Sequence, residues 1–421
     1  MSTRREGKAM KQLLAVSWEM PPIYGPRATQ VARTLSALST RGWHSTVVCL
    51  APRPGGPHAP ATTSTATLDG VDLRRVPSPE ESWVLRALWR LAPGLRHRPD
   101  SAHVWVEPAF RAAMQSAANV AGLITFGQPW SDHLVGLRLR RTAGLPWVAH
   151  FSDPWADSPY GPTDAGTRQR WRAMEADVVR EADAIVFVTS QTADLVMRKY
   201  PGEWRQKVSI VPHGFDPHAV PAPVARRPGP MRIVYTGRFY NGIRTPVGLL
   251  RAIARLDAAA SLGGIVEFAF VGPFVEEFKA DAESLGVGSL VRFEPRVAPD
   301  EALRRAGDAD VLLVIDAPSD GPSVFLPSKL VDYLPLRKPI LGLTPPLGAT
   351  ADLLKRLGCP IAAPDDVESI AAVLNQLIRS WRARELCVGA QFDAVAADYA
   401  IDRTVARLET VLASAFERRP H

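Results

Sequence analysis

Residues 232–246, RIVYTGRFYNGIRTP, decide how the second half of this chain folds. The run from Arg232 to Thr236 is short, β-branched and aromatic, as suits a strand buried on both faces. Gly237 lets the backbone turn closely, and a helical pattern opens near Pro246 and runs over about 246–258. A strand that feeds a helix through a glycine turn opens a βαβ unit. Arg238 lies just past the strand, and Arg244 six residues on, before the helix. Open parallel sheets bind ligands at the carboxyl ends of their strands, so two guanidiniums there outline a diphosphate clamp. A surface loop with two solvated arginines is the equally available bland reading.

The same rhythm continues outward. Val266 to Val271, Leu290 to Phe293, Val311 to Ile315 and Ile340 to Leu343 read as further strands, with helices over about 275–285 and from about Pro327. Upstream, periodicity stops in PHGFDPHAVPAPVARRPGP (212–230), whose six prolines mark a linker. Before it, Leu13 to Val16, a helix over about 27–40, Thr46 to Leu50, Gly122 to Phe126, Trp147 to Phe151 and Ala184 to Thr189 alternate in the same way. Two α/β units, each with its own parallel sheet, follow.

The 421 residues are 46% hydrophobic and 22% charged, which excludes intrinsic disorder, collagen and a disulfide-stapled mini-protein. Cys49, Cys359 and Cys387 are too few and too scattered for a disulfide framework or a zinc knuckle, so a reducing compartment is expected. No window reaches the ~18 apolar residues of a membrane span, and the apolar stretch after the basic N-terminus is too short for a signal sequence. A cytoplasmic chain is the expectation. Of the net +7, residues 1–215 carry +8 and residues 216–421 carry −1, so the two halves meet different partners. Only eight basic residues are lysines, and guanidinium favours phosphate. No nucleic-acid-binding motif accompanies the charge, so an anionic membrane surface or phosphate-bearing acceptor ranks above nucleic acid.

A second candidate segment is FLPSKLVDYLPLRKP (325–339). Ser328 stands at a helix start, and Lys329 and Asp332 share a face at i and i+3. Free amides and Lys329 suit a phosphate, and Asp332 suits ribose hydroxyls; a capped helix with an intrahelical ion pair is the alternative. Asp308-Ala309-Asp310 has the spacing of a metal-binding pair but abuts the run VLLVI, where a helix-to-strand turn explains it better, so no metal is expected. There is no G-x-G-x-x-G, P-loop or G-x-S-x-G, which removes the usual supports for dinucleotide binding, ATP hydrolysis and esterase chemistry.

These two segments, with the opening loop PPIYGPRATQ (21–30), HFSDPW (150–155), EADAIVFVTSQTADL (181–195), VPHGFD (211–216), FVGP (270–273) and DADVLLV, resemble the retaining GT-B glycosyltransferases of the family-4 type. The resemblance spans some 330 residues in the family's order. It implies two Rossmann-like domains facing each other across a cleft: 1–215 on the acceptor side, a linker at 216–230, 231–395 for the nucleotide sugar, and a C-terminal helix at 396–421 crossing back to the first domain. It implies transfer of a hexosyl group from a nucleoside diphosphate sugar to a sugar or lipid-linked acceptor, without metal or other cofactor, in cell-surface polysaccharide or glycolipid assembly. Arg238 and Arg244 take the diphosphate-binding positions, Asp332 the ribose-binding one, and Gly25, Gly237, Gly272, Arg296, Ser328 and Lys329 complete the donor set. Asp153 matches the aspartate of the DPW pattern, and His150 is placed to meet the transferred sugar or acceptor; His133 has a counterpart in relatives. The sequence departs from the pattern at Val324, where the family has glutamate, at Ser152, where it has histidine or arginine, and at His213, where it has asparagine. Competing readings on the same fold are a sugar-nucleotide epimerase or phosphorylase and a non-catalytic nucleotide-sugar binder.

Residues 83–98, WVLRALWRLAPGLRHR, place Trp83, Val84, Leu88 and Leu91 near one side of a helix, with Arg86 and Arg90 one turn apart. Such a segment either rests on an anionic bilayer, making the protein peripheral at the inner face of the membrane, or packs on the N-terminal core.

Overall fold

The computed structural model describes residues 10–23, 25–52, 68–79, 82–91, 98–219, 228–240, 242–273, 276–319 and 321–417. They form two α/β units, one of residues up to Gly214 together with Ile401 onward, the other from Phe215 to Ala400.

The first unit holds seven strands: β1 (Lys11–Val16), β2 (Trp43–Leu50), β3 (Val71–Val76), β4 (Gly122–Gly127), β5 (Trp147–Phe151), β6 (Ala184–Phe187) and β7 (Val208–Ile210), in the order β3-β2-β1-β4-β5-β6-β7. Every pairing is parallel. β4 and β5 are buried at every position, as strands covered on both faces require. β3 reads VDLRRV and is only partly buried, because it closes an edge; its arginines hide it from a search for apolar runs. The chain direction across the sheet reverses between β1 and β4, which leaves a crevice at their carboxyl ends.

The second unit holds β8 (Met231–Thr236), β9 (Val266–Val271), β10 (Val291–Glu294), β11 (Val311–Ile315), β12 (Ile340–Leu343) and β13 (Ile361–Ala362), in the order β10-β9-β8-β11-β12-β13. Its reversal falls between β8 and β11. Tyr235, Phe239, Phe268 and Phe270 fill the core under one face, and Leu312, Val314, Leu330 and Tyr333 that under the other. The helix anticipated from Pro246 takes Pro246 as its N-cap and runs Val247–Ala259.

The C-terminal division differs from the boundary at 396. The short helix Phe392–Ala397 packs in the second unit through Phe392 and Ala396, and the change of unit falls after Ala400. The helix Ile401–Glu417 packs in the first unit through Val405, Leu408, Leu412 and Phe416. Gly122 permits this: a Cβ there would lie 2.3 Å from the Phe416 ring. At the linker the units divide between Gly214 and Phe215, and most of its proline-rich part, 220–227, lies outside the described residues.

Candidate functional site

In the second unit the site is built on the carboxyl end of β8. Gly237 has φ +128°, a conformation that penalises any side chain, and a Cβ there would come within 2.4 Å of Lys329 Nζ. Gly272, just past β9, has φ +159°, and its Cβ would lie 2.0 Å from the Gly237 carbonyl oxygen. Two glycines thus let adjacent strand ends and a lysine ammonium close on one another.

Lys329 lies in the first turn of the helix Ser328–Tyr333. Its ammonium sits 3.7 Å from the centroid of the Tyr235 ring. It is out of solvent and has no hydrogen-bond partner among the described residues. Burial, and then the Arg244 charge, hold its pKa well below the ordinary lysine value, against the pull of Asp316. Asp316, just after β11, is itself buried and accepts hydrogen bonds from Ser323 Oγ (2.8 Å) and the Ala317 amide (2.9 Å). The helix that carries Lys329 is only six residues long, so its dipole is small and the lysine charge dominates.

Arg244 is fixed by a reciprocal pair of backbone hydrogen bonds with Tyr240, both 2.8 Å. Its guanidinium stands 5.6 Å from the Tyr240 ring, and its Nε is buried without a partner. Tyr235 underlies both cations: its ring is stacked 4.6 Å from Phe239, and its hydroxyl donates to the Arg238 carbonyl at 2.9 Å. The Tyr333 hydroxyl accepts from the Thr236 amide at 2.9 Å, tying the lysine-bearing helix to β8; burial pushes its pKa up to about 12.

Of the sequence-selected residues, Gly237, Gly272, Lys329 and Arg244 gather here. Ser328 and Asp332 lie half-buried on the same short helix. Arg238 and Arg296 are exposed at the ends of β8 and β10, outside the buried pair of cations. Val324 follows the buried Ser323 and brings no charge. Asp308 caps the helix Pro299–Gly307, and Asp310 accepts from the Arg232 amide at 2.9 Å, so the pair forms the turn into β11. No group of three metal-ligating side chains occurs among the described residues.

In the first unit the candidates lie past β1 and β5. Arg27, in the first turn of the helix Pro26–Ser39, was not singled out in the sequence, yet it organises this end of the sheet. Its side chain is 11% exposed; it donates to Ser152 Oγ and lies 3.9 Å from Asp153. Burial lowers its pKa, while Asp153, Asp132 and Glu19 oppose the shift. Gly25 lies against Glu19, whose Oε2 would be 2.6 Å from a Cβ. His150 is 7% exposed and its pKa is lowered to about 3, by burial and then by Arg27, so it is neutral at pH 7. Its ring lies 5.2 Å from Phe126 and 6.3 Å from His213. His133 is fully buried, paired with Thr125 Oγ1 at 2.7 Å and packed 4.5 Å from the Phe151 ring.

Residues 27–214 match the model of the glycosyl transferase 4-like domain. No curated protein matches the chain in sequence. Among solved structures, sucrose-phosphate synthase from Thermosynechococcus elongatus is similar at 15% identity and TM-score 0.71, over 97% of this chain and 100% of that one. WaaG, a glycosyltransferase involved in lipopolysaccharide biosynthesis, is similar at 16% identity and TM-score 0.61, over 95% and 98%. An E. coli trehalose-6-phosphate protein bound with UDP-2-fluoro glucose is similar at 13% identity and TM-score 0.60, over 98% and 100%. At these identities the structures speak to fold, and the fold is that of the two-domain GT-B glycosyltransferases. Residues 27–214 thus resemble a glycosyl transferase 4-like domain, and the chain as a whole has the two-domain GT-B fold.

Proposed function

We propose that the protein is a metal-independent, retaining glycosyltransferase that takes a hexosyl group from a nucleoside diphosphate sugar and passes it to an acceptor hydroxyl. The observation that carries the reading is the pair of buried cationic nitrogens without partners, Lys329 Nζ and Arg244 Nε, at the switch point of the second sheet. Two cations held near one another, with the buried Asp316 acting on the lysine but forming no ion pair with it, are a costly arrangement that a diphosphate would relieve. The positive charges of the lysine and the arginine disfavour a divalent cation here, so the charge that develops on the leaving diphosphate is met by these two side chains. That a protein of the same fold is seen with a UDP sugar supports this class of donor.

The chemistry asked of the chain is modest. As the glycosidic bond breaks, Lys329 and Arg244 stabilise the leaving diphosphate, Asp332 takes the ribose, and Arg238 and Arg296, exposed past β8 and β10, reach towards the nucleotide. On the family pattern a leaving phosphate oxygen accepts the acceptor proton on the same face, so no protein base is needed. His150, neutral and buried, offers a hydrogen bond to a sugar hydroxyl, with Asp153 and Arg27 beside it. Polysaccharide or glycolipid assembly is the process such transfer serves.

No helix among the described residues is long and apolar enough to cross a membrane. The helix Trp83–Leu91 exposes Trp83 (76%) and Leu91 (84%) beside Arg90, which supports peripheral attachment to an anionic bilayer; the Arg86 and Leu88 side chains and residues 92–97 lie outside the described residues. Co-sedimentation with anionic liposomes, compared with Arg86/Arg90→Glu, tests it.

The activity is tested by incubating the protein with a panel of nucleoside diphosphate sugars and cell-envelope extract. Acceptor-dependent release of nucleoside diphosphate supports transfer, release without acceptor points to another reaction on the fold, and tight nucleotide binding with no release makes the chain a binder.

A further inference from the structure

Two of the three cysteines, scattered in sequence, border one cavity of the second unit. It has a volume of about 310 Å³ and is lined by Cys359 and Cys387 together with Pro339, Pro360, Val373 and Leu377. Pro339 and Pro360 precede β12 and β13, so the cavity lies at the amino ends of these strands, whereas Gly237, Gly272 and Asp316 stand past the carboxyl ends of theirs. One wall is the helix Val367–Arg382, and another is the coil that follows it, where Arg384 at φ +61° turns the chain back.

The two thiols are held differently. Cys359 is half-buried, and its amide donates to the Leu354 carbonyl at 2.8 Å. Cys387 is exposed, in a coil whose amides from 386 to 390 make no backbone hydrogen bond among the described residues. Side chains hold that coil in place. Cys359 and Val388 pack on the same apolar cluster. A single carboxamide lies against both walls: a Cβ at Gly358 would strike Gln391 Nε2, and one at Gly389 would lie 3.0 Å from its Oε1. The residue before Cys359 and the residue two after Cys387 therefore flank one side chain.

A coil without a hydrogen-bond ladder shifts at little cost. A disulfide needs the two Cα atoms within about 7 Å, and an open cavity beside a movable coil permits that approach. An exposed cysteine adds nothing to a core, so packing does not account for Cys387. In a reducing compartment both thiols stay reduced until an oxidant arrives.

We propose that Cys359 and Cys387 form a redox-active thiol pair, closed to an intramolecular disulfide by a small-molecule disulfide of the oxidised-glutathione class. Burial pushes the Cys359 thiol up to about 11, so the exposed Cys387 attacks first. Its thiolate bonds to one sulfur of the reagent, the reagent's S–S bond breaks, and the departing thiolate takes up a proton. Cys359 then gives its proton to solvent and attacks the Cys387 sulfur, which expels the second small thiolate. The two cysteine sulfurs lose two electrons and the reagent gains them, leaving two small thiols. The coil leads through the helix Phe392–Ala397 to Ala400, where the chain leaves the second unit, so the cross-link stiffens that exit. The pair is independent of the transfer reaction proposed above.

The test incubates the reduced full chain with oxidised glutathione, alkylates the remaining thiols after denaturation and maps the peptides by mass spectrometry. The expected product is a linked pair of peptides carrying Cys359 and Cys387, lighter by two hydrogens and reversed by dithiothreitol, with Cys49 alkylated. The melting temperature should rise by a few degrees, as a cross-link of the unfolded chain brings. Cys359→Ser should stop at a stable mixed disulfide on Cys387, and Cys387→Ser should react roughly tenfold more slowly or less. A mixed disulfide that persists on Cys387 of the wild type, a disulfide between two chains, linkage to Cys49, or three unmodified thiols overturns the proposal. A linked pair with no rise in melting temperature overturns the stiffening.

Discussion

The Lys329 ammonium lies 3.7 Å above the centroid of the Tyr235 ring, with no carboxylate paired to it among the described residues. The ring face offsets part of the charge, but a buried cation without a counterion still works against folding. Lys329→Met should therefore raise the melting temperature by a few degrees while weakening nucleoside diphosphate binding by roughly 100-fold, as loss of a charge-assisted contact to phosphate does. Thermal denaturation and calorimetry on one preparation check both; a lower melting temperature with unchanged affinity would make the lysine a structural residue.

The same lysine predicts a proton inventory. Its pKa in the free protein lies well below the ordinary 10.5, and a diphosphate beside it would raise it again. Nucleotide binding should thus take up a proton between the depressed value and about 10.5. Calorimetry in buffers of different ionisation enthalpy reads this as a buffer-dependent heat, which Lys329→Met should abolish.

The two glycines should fail differently. At Gly272 a Cβ meets the Gly237 carbonyl, a backbone atom that cannot step aside, so Gly272→Ala should destabilise the fold by roughly 3 kcal/mol. At Gly237 the Cβ meets the mobile end of Lys329. Gly237→Ala should fold less stably but chiefly lose nucleotide affinity, as the ammonium is displaced. Urea denaturation beside nucleotide titration separates the two.

The end of β8 was legible because its signals are local. The run ending at Thr236, the glycine after it and Lys329 in PSKL each announce themselves within a few residues. Arg27 was not legible, because in the first turn of a helix it resembles a solvated residue; what meets it is Ser152 and Asp153, just past β5 and 125 residues away in sequence. Arg238 and Arg244 read alike as a clamp, yet the neighbouring turn takes the Nε of Arg244 out of solvent and leaves Arg238 exposed. Single-sequence pattern carries no information on which of two arginines six residues apart points inward. The surroundings of His133 were not legible either, since the rings that pack on it, Trp130, Trp147, Phe151 and Trp155, come from separate stretches of the chain.

His150 should make the first domain sensitive to acid. Its folded pKa of about 3 lies below the unfolded 6.5, so unfolding takes up a proton below pH 6.5. The stability it contributes is complete above pH 6.5 and falls away as pH drops towards 3. His150→Leu should flatten the pH dependence of unfolding between pH 6 and 4 by up to one proton, about 1.4 kcal/mol per pH unit. An unchanged slope would mean that the ring is protonated or solvated in the folded protein.

The most direct measurement is a crystal structure of the protein with its nucleoside diphosphate. The account predicts pyrophosphate oxygens within hydrogen-bonding distance of both Lys329 Nζ and Arg244 Nε, at the end of β8. A nucleotide bound elsewhere, with these two nitrogens still unpaired, would contradict it.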